Sequence, residues 1–247
     1  MYHFHSRVRY SEIGEDGCLT LTGMINYLQD CSTFQSEDSG VGVKYMEGRG
    51  KAWMLSSWRI QIARYPELGE PVTIGTWHCG NKGIYGYRNF IMEDAAGKRL
   101  LEAESSWFLL DLKTGLPCRV TEEDVKAYGM PEAALDLGTA PRKVLLPEAY
   151  EDGRAIAVSH HHIDTNHHVN NAQYVEIARE AAAISRPIRE LRVDYRKAAV
   201  LGDRIYPRIS RGQEEVTVAL LSDREEIFAA VWMRLAENHA QDGGKND

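Results

Sequence analysis

Two stretches of this 247-residue chain carry the same framework. A shift of 150 residues lays Ile13 on Ile163, Leu19 on Val169, Ile25 on Val175 and Tyr27 on Ile177. A shift of 133 residues lays Arg59 on Arg192, Ile60 on Val193, Leu68 on Leu201, Gly69 on Gly202 and Glu70 on Asp203. Self-similarity of this kind marks a supersecondary unit used more than once. In the first copy, Leu21, Met24, Ile25, Leu28, Cys31 and Phe34 recur at three- and four-residue steps, which predicts one buried helix face over Leu21–Asp38. Thr20 or Thr22 can cap its start, and Gly40 with Gly42 ends it. A strand is expected before it, near residues 4–12. Strands follow around Trp58–Ile62 and Val72–Ile74 and over 83–93 and 100–111, with hairpin turns at Asp94–Gly97 and Lys113–Gly115. The second copy predicts a strand at 155–163, a helix at 169–184 and strands near 188–197, 203–210, 214–221 and 225–236. Residues from Glu237 onward read as a frayed tail.

One helix cannot cover a broad sheet. Two copies joined edge to edge give a continuous antiparallel sheet around two helices, an α+β arrangement. The divisions are then 1–128 for the first unit, 129–153 for a linker and 154–247 for the second, with residues ~122–153 reading as a short helix followed by that linker. Pro131, Pro141 and Pro147 and the loss of strand alternation mark the linker.

Composition removes several classes of function. Asp and Glu outnumber Lys and Arg, 36 to 29, for a net charge of -7, against a general nucleic-acid coat. No apolar run approaches the ~18 residues of a membrane span. The opening Met1-Tyr-His-Phe-His-Ser-Arg lacks a signal core. Four cysteines, none in a Cys-x-x-Cys pair, point to reduced thiols and a cytoplasmic location. No Gly-x-Gly-x-x-Gly or Walker loop is present, so no nucleotide cofactor is expected. Without a Gly-x-Ser-x-Gly elbow, a serine hydrolase of the α/β type is disfavoured.

Chemistry concentrates at His160-His-His-Ile-Asp164-Thr-Asn166-His167-His168-Val-Asn170-Asn171-Ala-Gln-Tyr174. A metal site is one reading, but the histidine spacing matches no recognised zinc pattern, and no metal is expected. A second is structural: Asp164 and Asn166 form an Asx turn that caps the following helix. A third is a catalytic loop at a helix N-terminus, whose unpaired N–H groups and partial positive charge suit a developing oxyanion. The repeat bears on the choice. Gly14, Asp16 and Cys18 stand where the second copy has Asp164, Asn166 and His168, so the apolar frame is kept and the polar trio is not.

The pattern Asp164-x-Asn166-x-His168-Val-Asn-Asn-x-x-Tyr174 resembles the active-site motif of the acyl-acyl-carrier-protein (acyl-ACP) thioesterases of plants and bacteria. The opening Val8-Arg-Tyr10-Ser-Glu-Ile13, the helix Ile25-Asn-Tyr27-Leu-Gln-Asp30 and the strand Leu191-Arg-Val-Asp-Tyr195-Arg196 are similar to the same family, and the likeness runs from about residue 4 to 236. The resemblance implies a tandem hot-dog fold: two repeats, each a long helix wrapped by an antiparallel sheet, forming an internal pseudo-dimer. It implies hydrolysis of fatty acyl-ACP to fatty acid and acyl carrier protein, which ends fatty acid synthesis, with Asp164, Asn166 and His168 as catalytic residues. The carrier with its acyl-phosphopantetheine is the implied partner; the oligomeric state stays open between monomer and homodimer. Relatives often place a Glu-Cys pair just after the Tyr-Arg strand, where this chain has Ala198 and Ala199. His168 suits a base or proton shuttle, Asp164 an orienting group, base or nucleophile, and Asn166 an oxyanion or water ligand. Three rivals remain: an acyl-CoA thioesterase, a hydroxyacyl dehydratase of the same fold, and a non-catalytic acyl-thioester sensor.

Two further groups stand out. Trp53, Trp58, Trp77, Trp107 and Trp232 fall on expected strands, either as core or as lining of an apolar tunnel. Arg186, Arg189, Arg192, Arg196 and Lys197 form a locally basic run, either a solvated strand face or part of a docking patch for an acidic carrier.

Overall fold

The computed structural model describes residues 1–237, so the tail expected to fray lies, beyond Glu237, outside the described residues. The first half begins with strand β1 (Tyr2–Arg7), a 3-10 turn (Tyr10–Glu12), helix α1 (Leu21–Asp38) and short helix α2 (Val43–Gly48). It continues with β2 (Lys51–Ile62), β3 (Pro71–Lys82), β4 (Tyr85–Asp94), β5 (Arg99–Asp111), β6 (Leu116–Pro117) and α3 (Glu122–Val125). The second half has β7 (Glu151–Asp152), β8 (Ile156–Ala157), a 3-10 turn (His160–His162), α4 (Asn171–Ala181), β9 (Ile188–Tyr195), β10 (Arg204–Arg211), β11 (Glu215–Leu221) and β12 (Ile227–Leu235).

The helix α1 starts where Thr20 Oγ1 accepts the N–H of Gly23 at 3.0 Å, satisfying one of the unpaired donors of the first turn. Leu21, Met24, Ile25, Leu28 and Cys31 are buried as their spacing predicts. Phe34 is the exception, 41% exposed and packed edge-on against Phe4 at the rim. Two expected strands are shorter than their sequence pattern. The first ends at Arg7, and the 155–163 stretch keeps only Ile156–Ala157 before turning at His160. The last two positions but one of the expected linker, Glu151 and Asp152, pair with β10 instead.

All strands belong to antiparallel pairings in the order β1-β3-β4-β5-β2-β9-β12-β11-β10-β7, with β6 on β5 and β8 on β10. The order reads the same from either side of the β2–β9 junction. At that junction Arg59 faces Arg192, the pair that the 133-residue shift equates. The helices also meet there: Thr22 Oγ1 donates to Glu176 Oε2 (2.8 Å), and Asn171 Nδ2 donates to Gln29 Oε1 (3.0 Å). A single apolar cluster runs through both halves, from Leu28, Ile60 and Phe90 to Val175, Val193 and Val231. Burying this surface is the main stabilising term.

Side chains alternate across a strand, so Arg59 and Gln61 point away from the core that holds Trp58, Ile60 and Ile62. That outer face is covered by the linker. Trp77 Nε1 donates to the Ala133 carbonyl (2.9 Å), Arg59 donates to the carbonyls of Leu137 and Gly138 (2.6 Å each), and Asp194 Oδ2 accepts the N–H of Val144 (2.7 Å). Arg59 also pairs with the buried carboxylate of Glu190 at 2.9 Å. Arg192 donates to the linker carbonyls of Pro141 and Lys143 and lies over the Trp232 ring, while Arg189 donates to Ala63 O. The docking-patch reading therefore loses Arg192, whose guanidinium holds the linker in place.

Candidate active site

The loop after each 3-10 turn is built by the same bonds in both halves. In the second, the Asp164 N–H donates to His168 O (2.8 Å), His167 N–H to Asp164 O (3.0 Å), and Val169 N–H to Ala199 O (2.9 Å). In the first, Gly14 N–H donates to Cys18 O (2.9 Å), Gly17 N–H to Gly14 O (3.0 Å), and Leu19 N–H to Pro66 O (2.8 Å). His168 bridges to Val200 as Cys18 bridges to Glu67. The left-handed corner of this turn falls on Gly17 (φ 77°) and on His167 (φ 61°), where a side chain makes the conformation costly.

The polar residues of the motif divide into two groups. Several hold backbone. Asp164 Oδ1 accepts the N–H of Asn166 (2.8 Å) and, more weakly, that of His168 (3.4 Å). Asn170 caps α4 by accepting the Ala172 N–H (2.8 Å), and the Tyr174 hydroxyl accepts the N–H of buried Ala199 (2.7 Å). The expected contact between Asp164 and the His168 imidazole is not made; the carboxylate shapes the turn instead. His162 Nδ1 accepts the Ser159 N–H (3.0 Å), and burial followed by the neighbouring His161 lowers its pKa. Among the described residues, no three His, Cys, Asp or Glu side chains converge as metal ligands. The side chains of Asn166 and His168 form the second group. Neither has a hydrogen-bond partner among the described residues, Asn166 is exposed and His168 half-buried. These two are available for chemistry.

Asn166 stands at the mouth of a cavity of about 230 Å³ that belongs otherwise to the first half. Its walls come from α1 (Thr33, Ser36), the loop and helix that follow (Val41, Met46), β2 (Trp53) and β5 (Trp107). The tunnel reading thus holds for Trp53 and Trp107. Trp58 packs on Phe90 in the core (centroids 5.0 Å apart), and Trp77 and Trp232 serve the outer face. A second crevice joins Asn26, Gln29, Asp30 and Thr33 of α1 to Asp164, Thr165 and Asn170. Burial raises the Asp30 carboxyl, with Arg9 opposing and Glu12 adding to the effect. Sequence reasoning missed these α1 residues. A polar stripe at three- and four-residue steps on a helix bound for an interior was the available signal.

Three of the thiols are disfavoured as thiolates. Burial pushes Cys31 up to about 12 and Cys79 up to about 11, and raises Cys18, where Asp16 adds to the effect. All four cysteines are unpaired.

Residues 1–128 match the acyl-ACP thioesterase N-terminal domain, and residues 148–231 match the acyl-ACP thioesterase C-terminal domain. The chain is 24% identical over 182 residues to the chloroplastic acyl-[acyl-carrier-protein] hydrolase FATB2 of Cuphea viscosissima, covering 68% of this chain and 44% of that protein. It is 27% identical over 185 residues to the chloroplastic oleoyl-acyl carrier protein thioesterase 2 of Arabidopsis thaliana, covering 68% and 50%. The chain spans about half the length of the curated relatives it matches. Its fold is similar to that of an acyl-ACP thioesterase from Bacteroides thetaiotaomicron (TM-score 0.84, 20% identity, 95% of this chain and 97% of that one). It is also similar to the 12:0-ACP thioesterase from Umbellularia californica (TM-score 0.81, 17% identity, 95% and 96%).

Proposed function

The chain belongs to the acyl-ACP thioesterase family, and from that premise we propose that it hydrolyses fatty acyl-ACP thioesters to free fatty acid and acyl carrier protein. The observation that carries the reading is the position of Asn166: it stands on the motif loop and at the mouth of the first-half cavity. A thioester whose acyl chain fills that cavity presents its carbonyl to Asn166, on the loop that also carries His168. In the reaction, His168 takes a proton from water as the water oxygen bonds to the acyl carbon. The Asn166 amide donates to the oxyanion, and the positive end of the α4 dipole favours its charge. The carbon–sulfur bond then breaks, and the proton held by His168 goes to the departing phosphopantetheine thiolate. Asp164 acts through the turn it holds. No thiol is required, in keeping with Ala198 and Ala199 and with the raised pKa values of Cys18, Cys31 and Cys79.

Each half is on this reading a hot-dog repeat, 1–128 and 154–247 with 129–153 between them, and the chain is an internal pseudo-dimer. The facing pair Arg59 and Arg192 and the matched loops support this. A cytoplasmic location fits four unpaired cysteines, and no helix among the described residues is long and apolar enough to cross a membrane.

The test is a panel of acyl-ACPs from short to long chain, with free thiol as readout and acyl-CoA carrying the same group in parallel. Thiol release from acyl-ACP well above that from acyl-CoA is expected. Equal or greater release from acyl-CoA would move the substrate to CoA esters, and an enoyl product without thiol would make the protein a dehydratase.

A further inference from the structure

Along β4, Phe90 and Met92 point into the core, and the same alternation puts Arg88 inward where an apolar side chain is expected. Directly opposite on β3 stands His78. Both line the cavity that opens at Asn166. Both are buried, Arg88 at 9% exposure and His78 at 5%. Arg88 Nη1 donates to Gln35 Oε1 and to Thr76 Oγ1 (3.2 Å), and its guanidinium lies 4.8 Å from the centre of the Tyr128 ring. Among the described residues no carboxylate pairs with it. Burial lowers its pKa, but a guanidinium still carries its proton at neutral pH. A buried cation without a counter-ion is costly.

The His78 ring has both nitrogens buried and without a hydrogen-bond partner. Burial lowers its pKa and Arg88 adds to this, while backbone groups at Gly80 and Gly129 oppose it without an aligned hydrogen bond. The ring is therefore neutral, with one N–H to give. The sheet order places this pair on strands outward of the junction between the halves. The second half enters at β2, and β5, β4 and β3 follow outward. At ~4.8 Å per strand, Arg88 and His78 stand ~10–14 Å beyond the junction.

Resting on the thioesterase reading above, we propose that Arg88 and His78 form a receptor for a carboxylate at the distal end of the acyl chain. The favoured substrates are then acyl thioesters ending in a carboxylate. Arg88 supplies the counter-charge and His78 one further hydrogen bond, and the reaction at the thioester is unchanged. An uncharged chain leaves the cation unpaired and the imidazole unsatisfied.

Pantetheine thioesters of decanedioate (one end esterified), ω-hydroxydecanoate and decanoate test this without any carrier contact. In the wild type, kcat/KM for the carboxylate-ended substrate should exceed that for decanoyl by about tenfold or more, the scale of a charge-assisted hydrogen bond. The hydroxyl-ended substrate should fall between them. Arg88→Met and His78→Leu should each erase the preference, lowering kcat/KM for the carboxylate-ended substrate about tenfold more than for decanoyl. Arg88→Lys keeps the charge and should keep part of the preference, which preserves the test if Arg88→Met fails to fold. Decanoyl turnover equal to or above that of the carboxylate-ended substrate in the wild type would overturn the proposal. So would an equal loss on all substrates in folded Arg88→Met, which would make Arg88 a scaffold for Gln35 and Thr76. Thiol release from none of the three would count against the thioesterase reading. The receptor would then be judged by calorimetry with decanedioate, which should bind the wild type and not Arg88→Met, and equal binding to both would overturn it.

Discussion

The loops 14–18 and 164–168 close with the same backbone bonds, yet only the second exposes an amide and an imidazole without partners. The first has Asp16 and Cys18 in their place, with Asp16 Oδ1 accepting the Cys18 N–H (3.0 Å) and the thiol pKa raised by burial. The helices differ in the opposite sense. α1 has 18 residues and is followed by α2, and together they wall a cavity, whereas α4 has 11 residues and pairs its Glu176 with Arg179 (2.5 Å). Burial pushes the Glu176 carboxyl up, but the hydrogen bonds from Arg179 and Thr22 outweigh it and hold it below the usual range. One half thus presents polar side chains without partners and the other a cavity. A shared backbone frame in the two loops leaves each free to carry different side chains, because the turn bonds use main-chain atoms.

The comparison breaks most sharply on turnover. Asn166→Ala and His168→Ala should each lower kcat by ~10²-fold or more. Asp16→Ala and Cys18→Ala should stay within a few-fold. First-half changes as damaging as the second-half ones would end the single-site account.

Stability should show the next largest contrast, and it should follow the first half. The Asp124 carboxylate is buried beside β2, where Lys51 Nζ donates to both oxygens (2.8 and 2.9 Å) and the Thr121 hydroxyl to one (2.7 Å). Burial raises its pKa, but the bonds from Lys51 and Thr121 outweigh this and the net shift is downward. Asp124→Asn should cost about 3 kcal/mol of unfolding free energy in urea at neutral pH. A depressed folded pKa means that this stability is full above the unfolded value of ~3.9 and disappears as pH falls through the folded one. The gap between wild type and variant should therefore close in acid; a gap that widened there would reverse the assignment.

A smaller effect should separate substrates by length. A Cβ on Gly86 would stand 3.1 Å from the Trp53 ring, tighter than ordinary contact, in the cavity wall. Gly86→Val should narrow the cavity and reduce kcat/KM for the longest acyl chains by about tenfold relative to the shortest. An unchanged length profile would place the acyl chain elsewhere, and the second half would be the first region to probe.

Removing the four cysteines should matter least. A folded variant with all four changed to Ala or Ser should keep turnover within a few-fold, and alkylating agents should inhibit weakly. Loss by orders of magnitude, with circular dichroism unchanged, would bring Cys18 into the chemistry and erase the contrast between the loops.

Much of this was readable in the residues. The periods of α1 and of the strands, the Thr20 cap and the glycine turns at Gly97 and Gly115 are local signals, and these elements formed where their patterns lay, with shorter ends at β1, β8 and α4, whereas α2 was not read from the sequence. The 133-residue shift was equally legible, and it reappears as Arg59 facing Arg192. The Asx turn at Asp164, the structural reading of the motif, was legible as well. Asp164, Asn170 and Tyr174 turned out to hold backbone, because a polar side chain near unpaired N–H groups binds them first.

Sequence by itself determined α1, the main strands and the loop that carries Asn166 and His168, since capping and hydrophobic period act over a few residues. Only the tertiary structure decided that Asn166 opens onto a cavity built by α1, α2 and β2–β5, that Arg192 serves the linker, and that Arg88 and His78 share an interior wall. Those outcomes depend on which strands pair across more than a hundred residues and on what each inward side chain then meets. Local patterns do not encode either, because burial is a property of the assembled neighbours.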